Sequence, residues 1–151
     1  MQNMCVMIKP ASAICNMRCK YCFYADETSK RAVASYGIMS FNTLYSVLEK
    51  VLSKATKSCV IVFQGGEPTL AGLPFFRKAI NICKEKNVNH CNISFAIQTN
   101  GLLIDGEWCE FFAENYFLVG ISLDGPKELH DANRSYTDGK GTYSRVMHAL
   151  Q

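Results

Sequence analysis

Apolar residues fall along this chain in short blocks that alternate between two rhythms. Runs rich in apolar and β-branched residues at 4–9, 59–63, 93–97 and 117–123 read as strands. The run Cys59-Val-Ile-Val-Phe63 is apolar throughout, as expected of a strand buried on both faces of a parallel sheet. Between the runs, apolar positions return at helical spacing. Over 40–55, Phe41, Leu44, Tyr45, Leu48, Val51, Leu52 and Ala55 share one face, and Ser40 reads as the N-cap. Pro74 opens a second helix on Phe75, Phe76, Ala79, Ile80 and Cys83, because proline suits a first helical turn. Asp105 caps a third helix with Trp108, Phe111 and Phe112, and residues 142–150 begin a last one. The polar stretch 26–36 reads as a helix or an inserted loop.

Strand followed by helix, four times over, predicts parallel α/β architecture with right-handed crossovers. Four such units fall short of a closed eight-stranded barrel, which takes about 250 residues. The expected fold is a partial, open-edged (β/α) barrel. The chain stops at Ala149-Leu-Gln151 without a capping signal, so 1–151 is expected to be the N-terminal part of a larger core domain.

Composition narrows the classes. The net charge of +3 comes from 16 basic and 13 acidic residues with no run of either sign, which removes the basic tract of a nucleic-acid binder. No segment reaches the roughly 20 apolar residues of a membrane span. The N-terminus lacks the pattern of a secretory signal, so the expected location is the cytoplasm. Of eight cysteines, Cys5, Cys59, Cys83, Cys91 and Cys109 sit in apolar stretches at irregular intervals and read as buried free thiols.

The other three stand together. Cys15, Cys19 and Cys22 follow the first strand with C-x-x-x-C-x-x-C spacing, and three thiolates on one short loop can hold three corners of an iron–sulfur cube. The fourth iron is then open to a ligand, as the free position is in a catalytic metal site. The competing reading is part of a zinc site, but no second C-x-x-C or histidine pair completes four ligands.

Each later strand also runs into a polar or glycine-bearing loop: Gln64-Gly-Gly-Glu-Pro68, Gln98-Thr-Asn-Gly101, and Ser122-Leu-Asp-Gly-Pro126 with His130, Asp131 and Arg134 beyond. In parallel α/β folds chemistry collects at these C-terminal strand ends. Gly65 and Gly66 let backbone groups approach a ligand, Ser122 can bond a hydroxyl or carboxylate, and Arg134 offers a fork for a carboxylate. Taken singly, each loop is an ordinary turn, Arg134 a surface ion pair, and His130 and Asp131 loop lining. Their joint order is what carries information.

The cysteine run followed by G-G-E-P resembles the radical S-adenosylmethionine superfamily. The closer resemblance is to its anaerobic sulfatase-maturating branch, through Ile8–Ser12, Cys15–Tyr24, Ser35–Met39, Phe63–Gly72, Gln98–Gly101, Phe117–Gly120 and Asp124–Lys127. That resemblance implies a [4Fe–4S] cluster on Cys15, Cys19 and Cys22, with S-adenosylmethionine chelated by the fourth iron. It implies Tyr21 against the adenine, Gly65 and Gly66 receiving the methionine ammonium, and Ser122 and Arg134 holding the carboxylate and ribose side. The implied reaction oxidises a cysteine or serine of a sulfatase-derived peptide or protein to Cα-formylglycine through a 5′-deoxyadenosyl radical. Its electron would come from a donor such as flavodoxin or ferredoxin. The family's auxiliary clusters and general base belong to a C-terminal region with no counterpart in these 151 residues, so no catalytic base is expected here. The alternatives are another peptide-maturing radical enzyme and a non-catalytic iron–sulfur or zinc-binding fragment.

Overall fold

A computed structural model describes residues 2–151. The strands are β1 (Asn3–Ile8), β2 (Ser58–Phe63), β3 (Asn92–Thr99) and β4 (Phe117–Ile121). The helices are α1 (Phe23–Ser29), α2 (Phe41–Leu52), α3 (Leu73–Lys86), α4 (Gly106–Glu114), α5 (Lys127–Asn133) and α6 (Tyr143–Ala149), and a 3-10 turn covers Pro68–Ala71. The strands form one parallel sheet in the order β1-β2-β3-β4. It is open at both edges, the α/β arrangement that the alternation predicted.

Register sorts the side chains. Val6, Ile61, Phe95 and Phe117 lie in one row across the sheet, and Ile8, Phe63, Ile97 and Val119 in the next row on the same face. That face carries the core, because Leu44, Leu48 and Leu52 of α2, Phe75, Phe76 and Ile80 of α3, and Trp108 and Phe111 of α4 are buried with it. Phe76 is the hub. Its ring centroid lies 4.9 Å from Phe63 and 5.1 Å from Trp108, the latter edge-on. Caps fix where two helices start: Ser40 Oγ accepts from the Thr43 amide at 3.1 Å, and Asp105 Oδ1 from the Trp108 amide at 3.1 Å.

The opposite face is bare. Met7, Val62, Ala96 and Leu118 form a row there, with Met7 54% and Leu118 75% exposed. This corrects the expectation for β2, where Cys59, Ile61 and Phe63 are buried but Val60 and Val62 are only half-buried. Helices cover one side of this sheet, not both.

Other boundaries moved for local reasons. The polar stretch after the cysteines splits into the short α1, which buries no residue, and an irregular segment to Ser40. α3 starts at Leu73 with Pro74 in its first turn. α5 and the 3-10 turn have too few turns to show a periodicity. Cys59, Cys83 and Cys91 are buried free thiols as expected, but Cys5 and Cys109 are exposed. Cys5 belongs to the bare face of the sheet, two residues before Met7, and Cys109 lies on α4 away from its buried Trp108, Phe111 and Phe112. Burial pushes the Cys59 and Cys83 thiols up to about 11 and about 12, so both stay protonated.

Candidate functional site

The C-terminal ends of the four strands meet around a cavity of about 350 Å³. Cys15, Cys19, Cys22, Tyr21, Gly65, Gly66, Ser122 and Arg134 line it together, whereas His130 and Asp131 do not. A larger cavity of about 540 Å³ lies at the other end of the strands, beside Cys83, Ile93 and Tyr116. That end of a parallel sheet is where stability rather than chemistry is built.

Backbone bonds strap the cysteine loop down on two sides. On one side, the Glu67 amide donates to the Ile14 carbonyl at 2.8 Å, joining it to the G-G-E-P loop. Gly66 makes that approach possible: at φ +55°, any Cβ would run into the Ile14 carbonyl oxygen. On the other side, the Arg18 amide donates to Ser135 O at 2.8 Å and the Lys20 amide to Asn133 O at 2.9 Å. The three thiols are thus held between the second and fourth strand ends.

The side chain of Glu67 is the organising group that sequence reasoning did not single out. It is 1% exposed. Oε1 accepts from the Thr69 amide at 3.0 Å, the Thr69 hydroxyl at 2.6 Å and the Thr99 hydroxyl at 2.7 Å, while Oε2 accepts from the Asn100 amide at 2.7 Å. A buried carboxylate is tolerated only when its lone pairs are matched in this way. It locks the ends of β2 and β3 to each other. The available signal was an acidic residue in the loop after an apolar strand, but its partners Thr99 and Asn100 lie too far off in sequence to be foreseen.

Arg134 and Tyr21 are also already engaged. Arg134 Nε donates to Asp124 Oδ1 at 2.9 Å, the Tyr21 hydroxyl donates to the other Asp124 oxygen, and the guanidinium sits 5.3 Å over the Tyr21 ring. Arg134 Nη1 is also 3.9 Å from Cys19 Sγ. Burial alone would raise the Asp124 carboxyl, but Tyr21 and Arg134 hold it below the ordinary carboxylate range. Partial burial, then the bond to Asp124, pushes the Tyr21 phenol up to about 12. Burial raises the Cys15 and Cys19 thiols. The Met17 amide and Asn100 oppose it at Cys15, and Arg134 opposes it at Cys19. Ser122 Oγ accepts from Gln98 Nε2 at 3.0 Å, so the third and fourth strand ends are tied as well.

His130 and Asp131 face structural partners. His130 is fully buried, and its Nδ1 accepts from the Asp124 amide at 3.3 Å. Its Nε2 lies 3.0 Å from Thr142 Oγ1, whose own proton goes to the Arg134 carbonyl at 2.9 Å. Nε2 is therefore the donor, and the imidazole is the neutral Nε2–H tautomer. Asp131 accepts from the Tyr143 amide at 2.8 Å at the start of α6.

Comparison with known proteins adds the wider context. The chain is 46% identical over 147 residues to the cysteine-type anaerobic sulfatase-maturating enzyme of Clostridium novyi (strain NT), covering 97% of this chain and 39% of that one. The cysteine-type enzyme of Clostridium perfringens (strain ATCC 13124) is 47% identical over 151 residues, all of this chain and 41% of its own. The serine-type enzyme of Bacteroides thetaiotaomicron is 38% identical over 146 residues, 96% of this chain and 35% of its own. Among solved structures, native anSMEcpe with bound AdoMet superposes with a TM-score of 0.92 at 48% identity, over 97% of this chain and 40% of that one. The same protein with bound AdoMet and Kp18Cys peptide gives 0.91 at 46% identity, over 99% and 40%. The chain thus spans about 40% of the length of these relatives. A family model described as the Radical SAM superfamily matches residues 10–151, so the chain that gathers these strand-end loops into one cavity belongs to the radical SAM superfamily.

Proposed function

We propose that this chain is the cluster- and S-adenosylmethionine-binding part of an anaerobic sulfatase maturase, and that 1–151 forms the N-terminal portion of its radical SAM core. One observation carries the reading: the cysteine loop, the G-G-E-P loop, Ser122 and Arg134 line a single cavity at the strand ends. The radical SAM family uses a [4Fe–4S] cluster with S-adenosylmethionine, and the donors here suit that pair. Among the described residues, the three thiols share the cavity without closing on one ion-sized point. A cube takes each thiolate on a different iron, whereas zinc draws its ligands to about 2.0–2.3 Å of a single centre.

In this reading Cys15, Cys19 and Cys22 hold the cluster. Tyr21 lies against the adenine, and the Gly65–Gly66 backbone receives the methionine ammonium. Ser122 and Arg134 take the carboxylate and ribose side, with Arg134 aimed by Asp124. The bound pair supplies one-electron radical chemistry, which in a maturase oxidises a peptide cysteine or serine side chain to Cα-formylglycine. The chain's own residues bind, orient and exclude water, which is the protein's usual share in cofactor chemistry. A cysteine target is favoured by the greater likeness to cysteine-type relatives, 46–47% against 38% for the serine-type enzyme. The peptide substrate is proposed by analogy with the peptide bound to anSMEcpe. The electron donor is proposed to be a flavodoxin or ferredoxin, and the location the cytoplasm. No helix among the described residues is long and apolar enough to cross a membrane.

Anaerobic reconstitution with iron and sulfide tests the reading. One four-iron cluster per chain is expected, lost in Cys15→Ala, Cys19→Ala or Cys22→Ala and kept in Cys59→Ala or Cys83→Ala. Uptake of one zinc without sulfide would refute it. Mass spectrometry of a sulfatase peptide carrying the target cysteine then tests for formylglycine.

A further inference from the structure

We infer that Asn100 is a positioning residue for the cluster: its side-chain amide donates to the Cys15 sulfur and so raises the cluster's reduction potential. The inference rests on the iron–sulfur reading above.

The orientation of the Asn100 amide follows from its neighbours. Asn100 is 7% exposed and follows directly on β3. Its Oδ1 lies 3.0 Å from the Leu102 amide nitrogen. A backbone N–H can only donate, so the atom facing it must be the oxygen, and the amide cannot be flipped. Nδ2 therefore points the other way, 2.8 Å from Asn16 Oδ1 and 3.7 Å from Cys15 Sγ. Its two protons have one acceptor each.

The backbone cannot swing either. The Asn100 amide donates to Glu67 Oε2 at 2.7 Å, and Glu67 is itself immobilised through its other oxygen by Thr69 and Thr99. A rigid, dry donor is thus aimed at one of the three ligand sulfurs. Cys15 also receives the Met17 amide at 3.4 Å, and Cys19 has Arg134 Nη1 at 3.9 Å. Of the side chains around the thiols, Asn100 is the neutral donor that substitution can remove without touching the residues assigned to S-adenosylmethionine.

The direction of the effect follows from charge. Reduction adds an electron to a cluster whose thiolates are already negative. A donor on a ligand sulfur stabilises the reduced form more than the oxidised form, and so raises the potential. Removing it should lower the potential while the three ligands stay in place.

The test uses the anaerobically reconstituted chain and two neutral variants. Asn100→Leu keeps roughly the volume and keeps water out, and Asn100→Ser is too short to reach the sulfur. Iron content and an EPR-monitored redox titration are read for each. We expect four irons in at least one variant, with its midpoint potential shifted negative from the unsubstituted chain. A potential that does not move in a fully loaded variant overturns the inference. So does failure of both variants to hold four irons, which would make Asn100 a loop-building residue only. If the unsubstituted chain itself takes up no four-iron cluster, the iron–sulfur reading fails and this inference falls with it.

Discussion

Asp124 sits between Tyr21 and Arg134 and decides where both point. The Arg134–Asp124 pair is largely buried, so removing one partner leaves a charge without its match. Asp124→Ala should therefore weaken S-adenosylmethionine binding to the reconstituted chain by about tenfold, equivalent to about 1.4 kcal/mol, with four irons retained. Anaerobic equilibrium dialysis reads this. Tighter binding would mean that Asp124 competes with the ligand carboxylate for the guanidinium instead of aiming it. His130 gives a pH dependence. Burial, then the nearby Arg134 charge, holds its imidazole below the ordinary value of 6.5, against the opposing pull of Asp124 and Asp131. As pH falls through about 6.5, the unfolded chain takes up the proton first, so stability falls with it and levels off below the folded-state value. The urea midpoint should drop between pH 7 and pH 5, and His130→Gln should be less stable but flatter over that window. An equally steep slope in the variant would point away from His130. The carboxyls of Asp124 and Asp131, held low in the fold, lose their contribution only at more acid pH.

At the scale of elements, α2 shows how a pattern becomes a packed face. Leu44, Leu48 and Leu52 recur every four residues, all fully buried, and Ser40 closes the N-terminus. Leu48→Ala should cost about 2–5 kcal/mol, read by urea denaturation, because the cavity cannot collapse against the sheet. The loop after β2 depends on Gly66 in a different way. Gly66→Ala combines a positive φ with a Cβ driven into the Ile14 carbonyl, so the strap between the two loops must open. Cluster content should fall in this variant while far-UV circular dichroism stays near that of the parent chain. Full iron loading in Gly66→Ala would show that the strap is not needed to present the cysteines. Elements with a long period were legible from the sequence, α1 was legible only as a choice between helix and loop, and α5 was not. α1 buries nothing, and α5 is a single short helix held by the one buried histidine.

For the whole molecule, the helix-bearing face is sealed and the other is not. An apolar row running from Met7 to Leu118 meets solvent, and both sheet edges carry unpaired backbone groups. Open edges and uncovered apolar faces promote association. The 151-residue chain alone should therefore form species larger than a monomer at micromolar concentration, in size-exclusion chromatography with light scattering. A monomer across that range would show that the row is too narrow to drive association. Formylglycine production by this chain alone is expected to be weak or absent, since it spans about 40% of the length of its maturase relatives.

The order of elements, the parallel sheet and the strand-end loops that carry the candidate site were legible in the sequence itself. Periodicity marks a buried face, and the three-cysteine spacing marks a ligand loop wherever it is found. The tertiary structure alone decided who partners whom. Glu67 finds donors on Thr99 and Asn100, more than thirty positions away, and Tyr21 finds Asp124 across 103 positions. Such contacts have no period, because they depend on which strand ends are neighbours and not on spacing within a segment. The same holds for the half-open β2 and for the exposure of Cys5. An apolar run says that burial is favourable, but only the packing of the remaining layers decides whether anything is there to bury it against.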